Sequence, residues 1–432
     1  MPDLIDVSKF ENDELCRELA GAANAMVATY YGVMPLSRAL TSSDIDIYAQ
    51  AHFEISKLGD SVLSILLKDK RFPGSRQFFA RSRNSAFPFY PELASRILIR
   101  RTIEKGSPDD AVAWLQRVLA AKQGTGRVIE ALWGVPVDDA IELVAGTKIV
   151  PFKQLPDSPQ KRVIMGAVGD QRLPSMLNYT VPQSALLVEE SVPQPISDNL
   201  NRLERSNEKP VFVLTDEHLA DVTLVLTLVG PRTPISAMIW FDFDDPDLSY
   251  LSSLGLERSS RTIEILPSSL ADDPALDPAE AAEVVQQYLK LPAKIKGTVR
   301  VATHRLNIAQ RRASTGDKAI DLCIALESLL GGAETNEVTH KVTTRAVRLL
   351  GGSEADRLRR RDVIKATYGF RSKMVHQGAE PTESKKISGA DAKVHPSDIV
   401  REAVDICAQV IKLILRAGKI PDWTLFDVQE EH

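Results

Sequence analysis

The sequence predicts a multidomain α+β protein, with a helical N-terminal region over residues 1–135, a mixed α+β domain over 136–275 and an all-α bundle over 276–420. Three observations predict it. The chain has 432 residues, too many for one ordinary core. Near Pro136 the helical spacing of apolar residues gives way to short β-branched runs among Gly and Pro. Beyond Asp277-Pro278 the helical spacing returns and continues almost to the end.

In the N-terminal region, Phe53, Leu58, Val62, Ile65 and Leu66 recur mostly on one side of a predicted helix. Ser107-Pro108-Asp109-Asp110 starts another, because the Ser oxygen caps free N–H groups, Pro fits the first position and carboxylates suit the positive end. That helix buries Val112, Leu115, Val118 and Leu119, and Gly124-Thr125-Gly126 reads as its end and a fresh start. Before it, Arg71, Arg76, Arg81 and Arg83 interleave with Phe72, Phe78, Phe79 and Phe87. Such a stretch can stack on unpaired bases, but its commoner use is an irregular connection packed on its own aromatics.

In the middle domain, residues 140–152 read as two short strands around Gly146. Further strands are expected at 177–180, 184–188, 211–214, 239–243 and 261–266, while 216–229 stays open between helix and strand. Asp242, Asp244, Asp245 and Asp247 form the densest carboxylate group, at a spacing a hard cation would accept. The stretch lacks the EF-hand Gly and closing Glu, and Pro246 favours a solvated turn. His218 and His304 have no partner at ligand spacing, so no metal site and no cofactor is expected. No phosphate-cradling glycine loop or nucleophile elbow occurs.

Hydrophobic content of 44% and charged content of 26% are those of a soluble globular protein. The start, Met-Pro-Asp-Leu-Ile-Asp, lacks a signal peptide's basic and apolar regions, and no apolar run is long enough to span a membrane. Cys16, Cys323 and Cys407 are too few for a disulfide framework, and the latter two sit in apolar helical runs as core residues. The cytoplasm is the expected compartment. Net charge is −5, yet residues 293–380 carry 17 Lys+Arg against 9 Asp+Glu, which is +8 and leaves −13 elsewhere. That asymmetry suits a polyanionic partner such as RNA, though a solvated helix face gives it too.

The C-terminal region reads as successive helices. Residues 317–330 are apolar almost all round with Glu327 set among them, and Gly331-Gly332 closes that helix. Residues 337–350 put Val338, Val342, Ala346 and Leu349 on one face, and Ser353 caps the next helix. Polar residues 379–395 read as a mobile loop. His395-Pro396-Ser397-Asp398 then starts a helix that buries Val400, Val404, Cys407, Val410 and Ile411.

The helix after Ser353 carries the candidate chemistry: Tyr368-Gly-Phe-Arg371-Ser372-Lys373-Met-Val-His376-Gln-Gly378. A histidine transfers protons near working pH, and an arginine offers phosphate a planar fork of donors. RNA can be cut with these groups alone, because its 2′-OH is a built-in nucleophile. Five residues along a helix place Arg371 and His376 roughly 140° apart, so one copy cannot easily clamp one phosphate. The bland readings stay open: Arg371 as a surface ion pair and His376 as a residue at the negative helix end. Glu327 either orients Arg371 or His376, or pairs with another cation such as Arg345.

Together, the buried Ala325-Leu326-Glu327 helix and the Arg371-x4-His376 run resemble the Apea-like branch of the HEPN superfamily, over the last third of the chain. The resemblance implies a helical HEPN domain and metal-independent endoribonuclease activity in stress or phage defence. It also implies a homodimer in which two motifs meet at a composite site. Arg371 and His376 would be catalytic, supported by Glu327, Tyr368, Ser372 and Lys373. Ser372 stands where many active relatives carry Asn, Asp or His, although Ser is common in this branch. Some members of the superfamily bind RNA or nucleotide without cutting, and others serve to dimerise.

Overall fold

Four helices, α1 (Glu14–Tyr30), α2 (Ile45–Leu66), α3 (Pro91–Lys105) and α4 (Pro108–Ala120), pack together in the N-terminal region. The computed structural model describes residues 4–30, 45–81, 86–158, 160–161, 164–165, 181–193, 195–198, 211–230, 232–248, 274–332 and 337–429. Leu15, Leu19, Val62, Leu98, Trp114 and Leu115 are buried, as helical spacing requires. Phe53 departs from the expected stripe and is exposed. Ser107 Oγ accepts from Asp110 N, and Pro108 opens α4.

The Arg- and Phe-rich connection is more regular than expected. Its strands β1 (Phe78–Arg81) and β2 (Ala86–Phe89) pair antiparallel, and β7 (Ile196–Ser197) extends them in the order β2-β1-β7. Arg71 binds Asp13 and Asp69, each at 2.6 Å, and Arg76 binds Asp198 at 3.2 Å. These pairings favour a packed segment over a base-stacking one. Arg83 and the side chains of Arg81 and Phe87 lie outside the described residues.

Gly124 and Gly126 belong to a strand, β3 (Gln123–Trp133), rather than to a helix end. A Cβ on Gly126 would stand 2.3 Å from the Asp242 carbonyl oxygen, so the glycine permits a close backbone approach, not a turn. Asp244 and Asp245 form the expected exposed bend before Pro246, and two of the four aspartates are paired. Asp244 binds Arg127 at 2.8 Å, while Asp247 binds Arg117 at 2.6 Å and Arg101 at 3.1 Å. Trp114 Nε1 donates to the Asp247 carbonyl at 2.7 Å. Among the described residues no three His, Cys, Asp or Glu side chains converge as metal ligands do.

Strands β4 (Ile141–Val144) and β5 (Thr147–Pro151) form the expected hairpin, turning at Gly146 with φ of 80°. With β6 (Ser184–Pro193), β3 and β8 (Ile235–Phe243) they make a five-stranded sheet in the order β4-β5-β6-β3-β8. Ile129, Ala131, Phe152, Ala185, Met238 and Trp240 fill its core. Residues 211–214, expected as a strand, open helix α5 (Val211–Val225) instead. A buried, β-branched run carries no period that separates strand from helix. Leu219, Val222, Val225 and Leu226 are buried, and Asp216 and Glu217 lie inside the helix rather than at its start. Residues 177–180 and 261–266 lie outside the described residues.

The C-terminal helices are α6 (Pro278–Leu289), α7 (Ala293–Arg311), α8 (Thr315–Leu330), α9 (Val338–Leu350), α10 (Glu354–Gln377), α11 (Pro396–Ala417) and α12 (Trp423–Val428). Asp277, Ser314, Ser353, His395 and Asp422 cap five of them. Helix α8 packs on α7, α9, α10 and α11. The polar run 379–395 is tied down: Asp362 accepts from Ser388 Oγ at 2.5 Å, Lys385 bridges Val394, and Ile387 is buried. Helix α12 is closed onto the bundle by Arg345, whose buried guanidinium grips Asp427 at 2.7 Å and stacks on Trp423. No described helix is long and apolar enough to cross a membrane.

Contacts group the chain into two compact units. One is Met1–Arg127 with Glu190–Phe212 and Phe241–Glu257; the other is Val128–Glu189 with Val213–Trp240 and Arg258–His432. Residues on the two sides of position 275 belong to the second unit and are joined. Leu276 N donates to Pro136 O at 2.9 Å, and Asn307 Nδ2 donates to Thr227 Oγ1 at 3.1 Å.

Two stability tests follow from this packing. Gly126→Ala forces a backbone clash and is expected to cost about 2 kcal/mol or more in urea unfolding. The Arg345 guanidinium holds the Asp427 carboxyl below its ordinary pKa. A depressed folded-state pKa adds stability above the unfolded value of about 4 and loses it as pH falls through the folded value. The stability advantage of wild type over Asp427→Asn is therefore largest at neutral pH and shrinks on acidification below pH 4, as paired urea titrations would show.

Candidate functional site

Helix α10 begins in a capping box, with Ser353 accepting from Asp356 N while Asp356 accepts from Ser353 N. It ends at Gly378, whose φ of 61° lets its N–H close on Met374 O. Val363, Ile364, Thr367, Tyr368 and Phe370 form its buried side. Gly316 in the first turn of α8 meets Met374, where a Cβ would lie 2.9 Å from Met374 Cγ. The start of α8 and the end of α10 are thereby held close.

Arg371 follows Tyr368 by one helical turn and points toward α8. Its Nη1 donates to Glu327 Oε1 at 2.6 Å, with 35% of the Arg371 side chain and 25% of the Glu327 side chain exposed. The guanidinium carbon lies 5.9 Å from the centroid of the Tyr368 ring. Of the two uses foreseen for Glu327, the structure shows the pairing with Arg371; Arg345 is taken by Asp427. One of the five guanidinium donors is spent on this bond, and four remain for other acceptors.

Tyr368 is buried, and its hydroxyl has no hydrogen-bond partner within normal distance. Burial raises its pKa above the ordinary phenol value, with the Cys323 thiol and the Glu327 carboxylate adding to the effect. Burial also raises the Cys323 thiol, so this residue is a small core group beside the site rather than a nucleophile. The Cys407 thiol is likewise pushed up, to about 12.

His376 stands apart from this cluster. It lies in the last turn of α10, exposed, with no hydrogen-bond partner among the described residues. Its neighbour Val375 is 58% exposed, an apolar side chain left in solvent. Ser372 is exposed and Lys373 half-buried on the same helix. The structure therefore joins Arg371, Glu327 and Tyr368 into one contact cluster and leaves His376 facing outward about 140° away. Asp321 is a further buried charge that was not singled out in the sequence. It accepts from Arg305 Nη1 at 2.9 Å and Arg312 Nε at 3.0 Å. A carboxylate inside an otherwise apolar run was its signal.

A double-mutant cycle of Glu327→Gln and Arg371→Met, read by urea unfolding, is expected to give a coupling of about 0.5–1 kcal/mol, the range of partly exposed pairs. A coupling indistinguishable from zero would mean the two side chains do not hold each other in solution.

Comparison of the chain with protein-family models, with curated proteins and with solved structures returned no match.

Proposed function

We propose that the chain is a metal-independent endoribonuclease of the HEPN kind, acting through Arg371 and His376. The observation that carries this reading is the contrast between the two side chains. One is a cation paired with Glu327 and left about one third exposed, while the other is an exposed imidazole on the same helix, with no hydrogen-bond partner among the described residues. Arg371 takes the phosphate oxygens and stabilises charge as the phosphorane forms. His376 moves the proton, either from the attacking 2′-OH or to the departing 5′-oxygen. Atoms balance: the 2′-oxygen bonds to phosphorus, the P–O5′ bond breaks, and the products are a 2′,3′-cyclic phosphate and a 5′-hydroxyl.

Because the two groups diverge around α10, a single chain does not easily supply both to one phosphate. A two-fold pair of α10 ends brings a second Arg371 and a second His376 to the same place, and the exposed Val375 suits such a contact. A second reading, RNA binding without cleavage, is favoured by one observation: the Glu327 ion pair already engages the only arginine of the motif.

His376→Ala is expected to abolish cleavage of a single-stranded RNA with little change in melting temperature, and Arg371→Lys to lower it at least tenfold, since an ammonium cannot reproduce the fork. Cleavage should persist in EDTA, leave cyclic or 3′-phosphate ends and spare DNA of the same sequence. Undiminished cutting by His376→Ala, or a strict need for magnesium, would remove this mechanism. RNA bound tightly but never cut by the wild type would select the second reading.

A further inference from the structure

Helices α9 and α10 enclose a cleft of about 360 Å³ on the C-terminal bundle. Its floor is apolar, built on Val347 and Leu358 with Thr343 beside them. Four cations line it, Arg348, Arg357, Arg361 and Lys365, against one carboxylate, Glu354. A helix surface with that imbalance around an apolar hollow is unlike an ordinary solvated face, where charges of both signs alternate. It matches a ligand with a flat apolar part and more than one phosphate.

The register of α10 connects this cleft to the candidate site. Glu354, Leu358, Arg361 and Lys365 recur at helical spacing and all line the cleft. The same stripe continues through Gly369 and Ser372 to His376, and Arg361, Lys365, Gly369, Ser372 and His376 are all exposed. Lys365 and His376 are eleven residues apart, three turns, so they share a face about 16 Å apart along the axis. Nothing packs where a side chain on Gly369 would stand. The stripe between cleft and histidine is therefore a bare track, short enough for a few nucleotides of extended strand.

We infer that the α9–α10 cleft is a subsite for single-stranded RNA. It seats one base on Val347 and Leu358 and the flanking phosphates on Arg361 and Lys365, a few nucleotides from the phosphate at His376. This rests on the reading of His376 as the cleavage site for its meaning, but not for its detection. Arg361 has only its neighbour Asp362 as ion-pair partner, at 3.2 Å, and Lys365 has none among the described residues, so both can turn to a phosphate. Unpaired bases suit the hollow because a duplex keeps its base faces stacked.

The test uses the full chain and a 2′-O-methyl oligoribonucleotide, which lacks the nucleophile and is not cut. Arg361→Glu with Lys365→Glu is expected to weaken binding at least tenfold near physiological salt. It should also flatten the slope of log affinity against log salt by about 1.4, two phosphate contacts' worth. Thr344→Trp, which places an indole in the cleft and leaves every charge unchanged, is expected to weaken binding without changing that slope. Folded variants that bind with wild-type affinity and slope overturn the subsite, and if they still cut RNA the cleavage reading survives. Loss of binding in a chain that never cuts sustains the subsite and removes the cleavage reading. A changed solution mass with unchanged oligonucleotide binding makes the face an interface between copies and overturns the proposal.

Discussion

A carboxylate inside a helix that is enclosed on several sides has to be paired, and α8 carries two of them. Asp321 is nearly inaccessible and is satisfied by Arg305 and Arg312, which tie it to α7 and to the turn that follows. Glu327 is satisfied by Arg371, which ties it to α10. The carbonyls of Leu330 and Gly331 at the end of α8 take donors from Arg345 of α9. Apolar contact alone would let these helices slide or rotate by a step at little cost. Leaving the nearly inaccessible Asp321 without its partners costs several kcal/mol, which sets the register of α8 against α7, while the partly exposed Glu327 pair adds a smaller bias toward α10.

The candidate site follows from that register. With Arg371 paired to Glu327 on the α8 side of α10, the helix repeat sends His376 to another side. Gly316 adds a second constraint, because its missing Cβ lets Met374 press against α8 and holds the last turn of α10 in place. His376 then projects from an anchored helix end rather than from a loose one. A proton-transfer group gains from such placement, since rate falls steeply when reacting atoms are misaligned.

The N-terminal unit uses its charges differently. Arg101, Arg117 and Arg127 engage the aspartates around Pro246, and Arg71 closes on Asp13 and Asp69. In the sequence, Arg71 belonged to a stretch read as a packed connection and the aspartates around Pro246 to a solvated turn, while Arg101, Arg117 and Arg127 carried no reading at all. Each neutralises its counterpart from a distant part of the chain, as Asp247 does across 146 residues to Arg101. Short-range patterns do not carry such pairings, so neither the arginines nor the aspartates could be assigned from spacing alone.

The sequence by itself determined the capped helix starts at Ser107, Asp277, Ser353 and His395, the hairpin at Gly146 and the apolar stripes of the C-terminal helices. Each depends on residues within a few positions of one another: Ser107 with Asp110, Ser353 with Asp356, and Gly146 between its strands. It also put Arg371 and His376 on different faces of one helix, which needs only the helix repeat. The tertiary structure decided what lies across from each of them. The α5 run became a helix because it is buried, where periodicity is silent, and Gly126 became a strand residue because the Asp242 backbone passes against it. Glu327 pairs with Arg371, while Arg345 pairs with Asp427, 82 residues beyond it. Pairing of charges is a competition among groups far apart in the chain, and only the folded arrangement settles which partner is within reach.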